Sequence, residues 1–371
     1  MIKPKILSFF TGGGLLDMGF EKAGFETIFT NEFDTDFATM YEAGMSSWAS
    51  SENLNKEFKI STTESILSLN PNTIKSHAFK NGIPSLWGII GGPPCQDFSI
   101  NGKRNGFNGN RGKMTVVFFN RIVQLQPPFF LMENVTGLVR NNKTKDLLDQ
   151  IIMNNCSKDY EMIRFILNAL DYGVPQNRER VFIIGIKKEL LKTDNIKSNK
   201  QGIFRLDFPI PKPDVFNAKK AYNWPKQNEF GTSPAKDPII PIELTVSNCL
   251  VTKEDIDKKI PNIKEYFPLR KNSEARKLIN EGDTVRPSFK RLHRYRYSPT
   301  TCYGNNEVHL HPFENRRISV REALRIQGVP DSYSLPGNIS LTKKFKMIGN
   351  GVPVPLAYNV AISLKTFLNT L

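Results

Sequence analysis

One cysteine in this sequence stands where a nucleophile is expected. Cys95 follows the Gly-Gly-Pro-Pro run 91–94 at the end of an apolar segment, whereas a structural cysteine usually lies inside such a segment. The residues that follow, 99–112, contain four glycines and many polar side chains. A loop of this kind can close over a site. The pattern indicates a nucleophile beneath a mobile loop, and a plain flexible connection is the alternative.

Two further groups could act with this cysteine. Glu133 follows the apolar run 129–132, where partial desolvation would raise its pKa and let it donate a proton. Arg178 and Arg180 share one face of an extended segment, where they could hold a carbonyl or phosphate oxygen. The alternatives are a helix cap at Glu133 and a solvated face of arginine side chains.

A glycine-rich turn follows the first apolar run and precedes a helical pattern. Gly12 and Gly14 would let the backbone approach a ligand there. Glu32 lies 20 residues after Gly12 and suits a pair of ribose hydroxyls, and Phe33 could stack on a purine. Together these features predict a nucleoside cofactor, against the alternative of an ordinary tight turn. The spacing does not distinguish NAD from S-adenosylmethionine.

These groups must be positioned by the elements around them. Apolar runs alternate with helical patterns along the first half, which predicts an α/β fold with a mostly parallel, Rossmann-like sheet. The predicted strands are Lys5–Phe10, Phe25–Asn31, Leu86–Ile90, Phe129–Met132, Met162–Leu167 and Val181–Ile186. The main helical patterns are Leu15–Ala23, Met114–Gln124, Thr144–Met153, Ser319–Gln327 and Val352–Leu368.

The chain therefore divides into three parts. Residues 1–187 are predicted to form the first part of a catalytic and cofactor-binding domain. Residues 188–312 are rich in lysine and proline with weak periodicity, and predict a smaller, irregular domain. Residues 313–371 are predicted to return to the first domain.

The charge indicates a polyanionic partner. The 371 residues include 51 Lys and Arg against 36 Asp and Glu, a formal net charge of +15. The segment 286–297 interleaves five basic residues with aromatic ones, which is typical of phosphate contacts combined with stacking. Its candidate contacts are Lys290, Arg291, Arg294 and Arg296. A solvated strand with a half-buried aromatic face is the alternative.

Other classes of protein are disfavoured. The four cysteines include no Cys-x-x-Cys pair and the four histidines form no ligand cluster, so we expect no metal site. No apolar run approaches the roughly 18 residues of a membrane span. The N-terminus has no apolar segment typical of a secretory signal. We therefore expect a cytoplasmic protein.

Taken together, the motifs resemble those of the cytosine-C5 DNA methyltransferases, especially the bacterial restriction-modification enzymes. The resemblance covers about two thirds of the chain. The motifs occur in the family's order at Phe10–Phe20, Pro94-Cys95-Gln96, Glu133-Asn134-Val135, Gln176–Arg180, Arg317–Pro330 and Gly349–Pro353.

The resemblance implies a role for each candidate residue. Cys95 would attack the target cytosine, Glu133 would contact its N3 edge, and Arg178 and Arg180 would form the rest of the catalytic set. S-adenosylmethionine would be the methyl donor, bound by Phe10, Gly12, Gly14, Glu32, Phe33, Pro94, Asn350 and Val352. The DNA contacts would come from Ser99, Arg111, Gln176, Lys290, Arg291, Arg294 and Arg296.

It also implies partners. The substrate would be double-stranded DNA, with the target base flipped out of the duplex. Residues 188–312 would recognise the target sequence, a restriction endonuclease would act on the same sequence, and the enzyme would be a monomer.

Three alternatives remain open from the sequence. A tRNA cytosine-C5 methyltransferase of the same fold would carry a Cys-Phe-Thr signature, and no cysteine here is followed by Phe. An NAD-dependent oxidoreductase would need neither the Pro-Cys-Gln loop nor a basic insert. A non-catalytic DNA-binding protein would not need Cys95 and Glu133 together.

Overall fold

The central element of the fold is a six-stranded sheet. The computed structural model describes residues 3–94, 112–197, 202–269, 273–303 and 308–371. The strands of this sheet lie in the order β2-β1-β3-β4-β6-β5. In chain order they are β1 (Lys5–Phe9), β2 (Glu26–Asn31), β3 (Trp87–Gly91), β4 (Phe129–Val135), β5 (Tyr160–Asn168) and β6 (Glu179–Lys187).

The sheet is mostly parallel. Strand β1 pairs in parallel with β2 and with β3, and β3 pairs in parallel with β4. Strand β6 is antiparallel to both of its neighbours, β4 and β5. This topology confirms the predicted α/β class and brings the carboxyl ends of four parallel strands to one edge, where such folds bind ligands.

Helices cover the sheet and fill the space beside it. They are α1 (Leu15–Lys22), α2 (Thr35–Ser51), α3 (Pro71–Ala78), α4 (Gly112–Leu125), α5 (Gly137–Arg140), α6 (Asn142–Cys156), α7 (Ala218–Ala221), α8 (Lys253–Asp257), α9 (Val320–Ile326), α10 (Leu341–Asn350) and α11 (Val354–Leu368). The sequence pattern does not predict α2, α3 or α10. In α2, eight polar residues among small ones weaken the helical pattern, although Asp34 caps its first turn through two backbone N–H groups.

Apolar side chains on opposite faces of the sheet form two separate cores. On one face, Ile6 and Phe129 pack with residues of α1 and α11. On the other face, Leu7 and Phe130 pack with residues of α3, α4 and α6. Alternate residues of each strand therefore point to opposite layers, as expected for a sheet covered on both sides.

A third core joins the predicted recognition segment to the catalytic helices. Val246, Cys249 and Leu292 pack with buried residues of α2, α9 and α10. Leu206 packs into the core beside α11. Parts of the segment 188–312 are thus built into the larger domain. The division at 188 and 312 stays a prediction.

The C-terminal helices α10 and α11 pack in the cores beside the sheet. The span Leu341–Leu368 is long and apolar enough to cross a membrane by length and composition alone. It consists of α10 and α11 with a break at 351–353, and Ala357 of α11 packs closely against Gly19 of α1. These contacts make it a core element.

Candidate active site

The candidate residues follow strand positions that lie in one row across the sheet. Phe9 of β1 is in register with Asn31 of β2 and with Gly91 of β3, and Gly91 is in register with Met132 of β4. The next residue on each strand is Phe10, Glu32, Gly92 or Glu133. Pairing of the parallel strands thus places the predicted cofactor loop, the acid at 32, the proline loop and the acid at 133 at the same edge.

The glycine loop is tied directly to Glu32. The Gly12 N–H donates to Glu32 Oε2 over 2.8 Å, and the Asp34 N–H donates to the other oxygen over 2.8 Å. Burial raises the pKa of Glu32, whereas these backbone N–H groups lower it. Phe33 beside it is 71 % exposed at the mouth of the site.

These residues fit S-adenosylmethionine. A carboxylate held at the end of β2 offers acceptors for ribose hydroxyls, and the exposed Phe33 ring offers a face for adenine. A Cβ built on Gly12 would meet nothing within 4 Å, so the space above the loop is open. Val352 is buried nearby and Asn350 is exposed at the end of α10, whose Met347 packs against Gly13.

On the catalytic side, Glu133 and Arg180 form a buried ion pair. Arg180 Nε lies 2.9 Å from Glu133 Oε1, and each side chain is only 9 % exposed. Burial raises the pKa of Glu133, while the positive charges of Arg180 and Arg178 lower it. The carboxyl group is thus held beside a cation in a largely dehydrated place, where proton transfer can be tuned.

The proline loop is fixed to the same strand. Asn134 Nδ2 donates to the Pro93 carbonyl oxygen over 3.1 Å. A Cβ built on Gly92 would lie 2.9 Å from Glu133 Oε2, so a side chain there would disturb the acid. Asn134 therefore anchors the loop in which Pro94 lies, and this loop leads into Cys95.

Two predicted site residues, Arg178 and Gln176, are buried and form hydrogen bonds between distant segments of the protein. Arg178 is fully buried and donates to the carbonyl oxygens of Thr301, Gly349 and Gly351 over 2.8–3.1 Å. Gln176 is also fully buried and bonds to Thr301 and to the Ile326 carbonyl oxygen. The predicted DNA contact by Gln176 is therefore wrong, because its amide lies inside the protein. The guanidinium of Arg178 is thus held inside the protein by backbone carbonyl oxygens, and its catalytic role stays a prediction.

The basic segment 286–297 also differs from the prediction. Arg291 is fully buried, and its guanidinium donates to four backbone carbonyls, so its predicted DNA contact is wrong. Arg294 forms a double hydrogen bond with the buried Glu281. Arg296 lies over the Tyr297 ring and donates to the Pro225 carbonyl oxygen. A sequence pattern of alternating basic and aromatic residues is therefore equally consistent with arginines bound inside the protein and with residues that contact DNA.

Lys290 differs from these three arginines. It forms no ion pair within the described parts of the chain, and it lines a shallow pocket with Ser288, Thr300 and Cys302. Of the four cations in the segment 290–296, Lys290 and Arg296 are half-exposed without a carboxylate partner in the described residues, and of these two Arg296 donates to a backbone carbonyl oxygen.

Three predicted residues, Cys95, Ser99 and Arg111, lie outside the described residues. The other cysteines are placed. Cys156 and Cys249 are buried, and burial raises the pKa of each thiol to about 12, which disfavours the reactive thiolate. Cys302 is exposed.

Sequence reasoning missed several groups that shape the site. Asp17 is buried in α1 and accepts a hydrogen bond from Ser8 of β1 over 2.7 Å. The Tyr333 hydroxyl donates to the Gly13 carbonyl oxygen over 2.7 Å. A signal for Asp17 was present, because an acid between Leu16 and Met18 interrupts an otherwise apolar stretch. Tyr333 gave none, since its partner is 320 residues away.

Comparison with known proteins identifies the class. The profile of the C-5 cytosine-specific DNA methylase family matches residues 4–366. The chain therefore belongs to this family. It is a DNA (cytosine-5)-methyltransferase, and its methyl donor is S-adenosylmethionine.

Individual relatives agree with this assignment. The Type II methyltransferase M.NmeDI of Neisseria meningitidis serogroup C is 38 % identical over 99 % of this chain and 84 % of its own. M.FnuDI of Fusobacterium nucleatum, also a Type II methyltransferase, is 33 % identical over 98 % of this chain and 95 % of its own.

Solved structures show the same fold. A protein assigned as a prophage-encoded DNA modification methyltransferase of E. coli superposes with a TM-score of 0.67 at 26 % identity, covering 99 % of this chain and 100 % of its own. The S. pombe Dnmt2 methyltransferase has a TM-score of 0.59 at 15 % identity, covering 98 % of this chain and 99 % of its own. The tRNA, oxidoreductase and non-catalytic alternatives are no better supported by these comparisons.

Proposed function

We propose that this protein methylates a cytosine within a specific duplex sequence through a covalent adduct with Cys95. The observation that carries the proposal is the row of strand ends that brings Gly12, Glu32, Gly92 and Glu133 to one edge of the sheet. Cys95 follows Gly92 by three residues in the sequence, and Asn134 of β4 donates to the Pro93 carbonyl oxygen two residues before it. The nucleophile, the acid and the cofactor loop would thus meet above this edge.

In this proposal, each protein group has one task. The Cys95 thiolate would bond to C6 of the flipped cytosine, and Glu133 would interact with N3 as electron density moves onto the ring. Arg180 would hold both Glu133 and the base. S-adenosylmethionine, when bound, supplies an electrophilic methyl group on a positively charged sulfur. The activated C5 would accept the methyl group as the sulfur leaves as a neutral thioether, and transfer of the C5 proton to a base would then expel the thiolate from C6.

The cofactor pocket follows from the loop at residues 10–14. Phe10, Gly12 and Gly14 would line it, Glu32 would bind the ribose, Phe33 would flank the adenine, and Pro94 would lie beside it. Asn350 and Val352 would close it from the C-terminal side, in support of which Met347 of the same helix contacts Gly13.

Sequence specificity is proposed to reside in residues 188–312. Ser99 and Arg111 would contact DNA from the loop after Cys95, and Lys290, Arg294 and Arg296 from the basic segment. Since Val246–Cys249 packs with catalytic helices, a graft should retain this apolar anchor from the recipient. An active graft of the remaining segment should methylate the donor's sequence. An active graft that keeps the recipient's sequence would contradict the assignment.

We also propose a cytoplasmic monomer that works beside a restriction endonuclease of the same specificity. The relatives named as Type II methyltransferases support the second part. The whole proposal is tested by expressing the chain in cells that lack cytosine methylation and mapping methylated cytosines in their DNA. A single methylated sequence is expected, and its disappearance with Cys95→Ser would support the nucleophile. Methylation of tRNA alone would overturn the proposal.

A further inference from the structure

The cofactor loop, defined here as residues 10–14, has an unusual backbone. Phe10, Gly12 and Gly14 have φ angles of 57°, 59° and 79°. Glycine adopts such angles readily, but Phe10 is strained by them because its Cβ crowds the backbone. A strained loop keeps its conformation only where neighbouring groups hold it.

A buried chain of hydroxyl groups runs beneath this loop. Thr11 Oγ1 lies 3.2 Å from Ser8 Oγ and 3.3 Å from the carbonyl oxygens of Ser8 and Asn31, and Ser8 Oγ donates to Asp17 Oδ1 over 2.7 Å. Because Ser8 has one hydroxyl proton and gives it to Asp17, its oxygen is left to accept from Thr11. The hydroxyl hydrogen bonds thus run in one direction, from Thr11 through Ser8 to the carboxyl group of Asp17.

Thr11 connects this chain to both strands of the site. Its N–H donates to the Asn31 carbonyl oxygen over 3.2 Å, one residue before Glu32. Its carbonyl oxygen accepts from the Gly14 N–H over 3.0 Å and closes the turn. A shift of Thr11 would therefore move Gly12, whose N–H is held by Glu32.

Apolar packing does not explain why an acidic residue is buried at position 17. The residue is fully buried in α1, and its Oδ2 meets no donor at good hydrogen-bond geometry within the described parts of the chain, although the nearby Tyr41 hydroxyl lowers the pKa of Asp17. An unsatisfied buried carboxyl oxygen costs stability. The groups that face it are Ser8 on β1, Tyr41 on α2, Glu21 on its own helix and Lys56 beyond α2.

We propose that Asp17 is a positioning residue for the cofactor loop and acts on it through Ser8 and Thr11. The inference rests on the proposed role of this loop in binding S-adenosylmethionine. Asp17 is too deeply buried to contact the cofactor itself. Asp17 orients the hydroxyl groups of Ser8 and Thr11, and these hydrogen bonds hold the backbone of residues 10–14 in the conformation that would contact the cofactor.

Two variants of Asp17 separate its hydrogen bond from its charge. Asp17→Ala removes the acceptor, whereas Asp17→Asn keeps an amide oxygen for Ser8. Calorimetric titration of the purified full chain with S-adenosylmethionine should show about tenfold weaker binding for Asp17→Ala, as expected for one lost hydrogen bond. Asp17→Asn should bind within about threefold of the wild type. In steady-state assays, KM for S-adenosylmethionine should rise while KM for DNA and kcat stay unchanged.

A control separates positioning from general loss of stability. Tyr160→Phe removes a buried hydrogen bond to the Pro127 carbonyl oxygen, 2.8 Å long, on β5 at the other end of the sheet. It should lower the melting temperature without changing the cofactor affinity. If Asp17→Ala does not fold, Ser8→Ala carries the test, because it breaks the same chain and should weaken cofactor binding about tenfold.

The outcomes are distinct. Unchanged cofactor affinity in Asp17→Ala or Ser8→Ala, or an equal loss in Tyr160→Phe, overturns the positioning role. Equal losses in Asp17→Asn and Asp17→Ala also overturn it, because the amide would then fail to replace the acceptor. Glu32→Ala tests the cofactor site itself. If Glu32→Ala also binds S-adenosylmethionine with unchanged affinity, the proposed cofactor site is wrong. If only Glu32→Ala loses affinity, the site stands and only the positioning role of Asp17 is rejected.

Discussion

Arg180 Nε lies 2.9 Å from Glu133 Oε1, and this ion pair crosses from β6 to β4 where the two strands run antiparallel. The antiparallel step is what brings the two residues together. Val135 lies opposite Arg180 and Phe182 lies opposite Glu133, so the side chains approach along a diagonal of the ladder. A wholly parallel sheet would send the end of β6 to the same edge as β4 and place Arg180 at the opposite edge from Glu133.

The first prediction concerns the pH dependence of this pair. If Glu133 donates a proton toward N3, kcat should fall as pH rises through its pKa. Burial raises that pKa and Arg180 lowers it, so Arg180→Gln should move the alkaline limb of kcat to higher pH. Single-turnover rates measured across pH check the direction. A limb that moves to lower pH would rule out Glu133 as the titrating group.

The second prediction concerns Glu32. Glu32→Ala should weaken S-adenosylmethionine binding by roughly 1.5–3 kcal/mol, because a charged acceptor of ribose hydroxyls is lost and the Gly12 N–H loses its partner. DNA affinity should change little. Calorimetry with the cofactor and a separate DNA titration give the two numbers. Equal losses for both ligands would show a general disturbance of the fold.

The third prediction compares two neighbouring cations. Lys290→Met should weaken DNA binding and reduce the slope of log K against log salt by about one, since one phosphate contact is lost. Arg291→Met should lower the free energy of unfolding, because four backbone carbonyls lose their buried donor. Binding titrations at several salt concentrations and chemical denaturation check the pair. The reverse pattern would mean that Arg291 faces DNA.

These two cations show where sequence reasoning ended. The segment 286–297 has a charge pattern that is the same for interior and surface arginines, because burial depends on the carbonyl groups that other segments bring to them. The carbonyls around Arg291 come from residues 276, 279, 311 and 314. Only the fold supplies these distant partners.

The sheet edge was predictable for the opposite reason. In β3 and β4 a short apolar run is followed at once by glycine or a polar residue, so the local sequence locates the carboxyl end of the run. Glu133 could therefore be placed beside the glycine loop from the sequence. Its pairing with Arg180 could not, since it depends on the reversed direction of β6.

The fourth prediction concerns the stability cost of Asp17. Burial raises the pKa of Asp17 from 3.8 to about 7, although the Ser8 hydrogen bond opposes this. Below pH 4 the carboxyl is neutral in both the folded and unfolded chains, so it carries no penalty. Between pH 4 and 7 the unfolded chain ionises and the folded chain does not, which destabilises the fold increasingly, and above pH 7 the penalty levels off.

Asp17→Asn removes this titration. The variant should therefore gain stability over the wild type from pH 4 to 7, by up to about 4 kcal/mol at the plateau. Urea denaturation at several pH values measures the difference. A constant difference across this range would show that the pKa of Asp17 is not raised in the folded chain.

The last prediction concerns Cys95. A thiolate is the common side chain best suited to attack the C6 position near neutral pH, and among the other cysteines Cys156 and Cys249 are buried with raised pKa values. DNA with 5-fluorocytosine at the target should therefore trap the enzyme, because fluorine cannot leave C5 as a proton does. The adduct should survive denaturing electrophoresis and require S-adenosylmethionine.

Cys95→Ser should abolish both adduct and methylation while leaving DNA binding largely intact. Cys302→Ser is the matched control, since it removes the exposed thiol beside Lys290, and it should still form the adduct. An adduct that maps to Cys302, or wild-type methylation by Cys95→Ser, would exclude the mechanism.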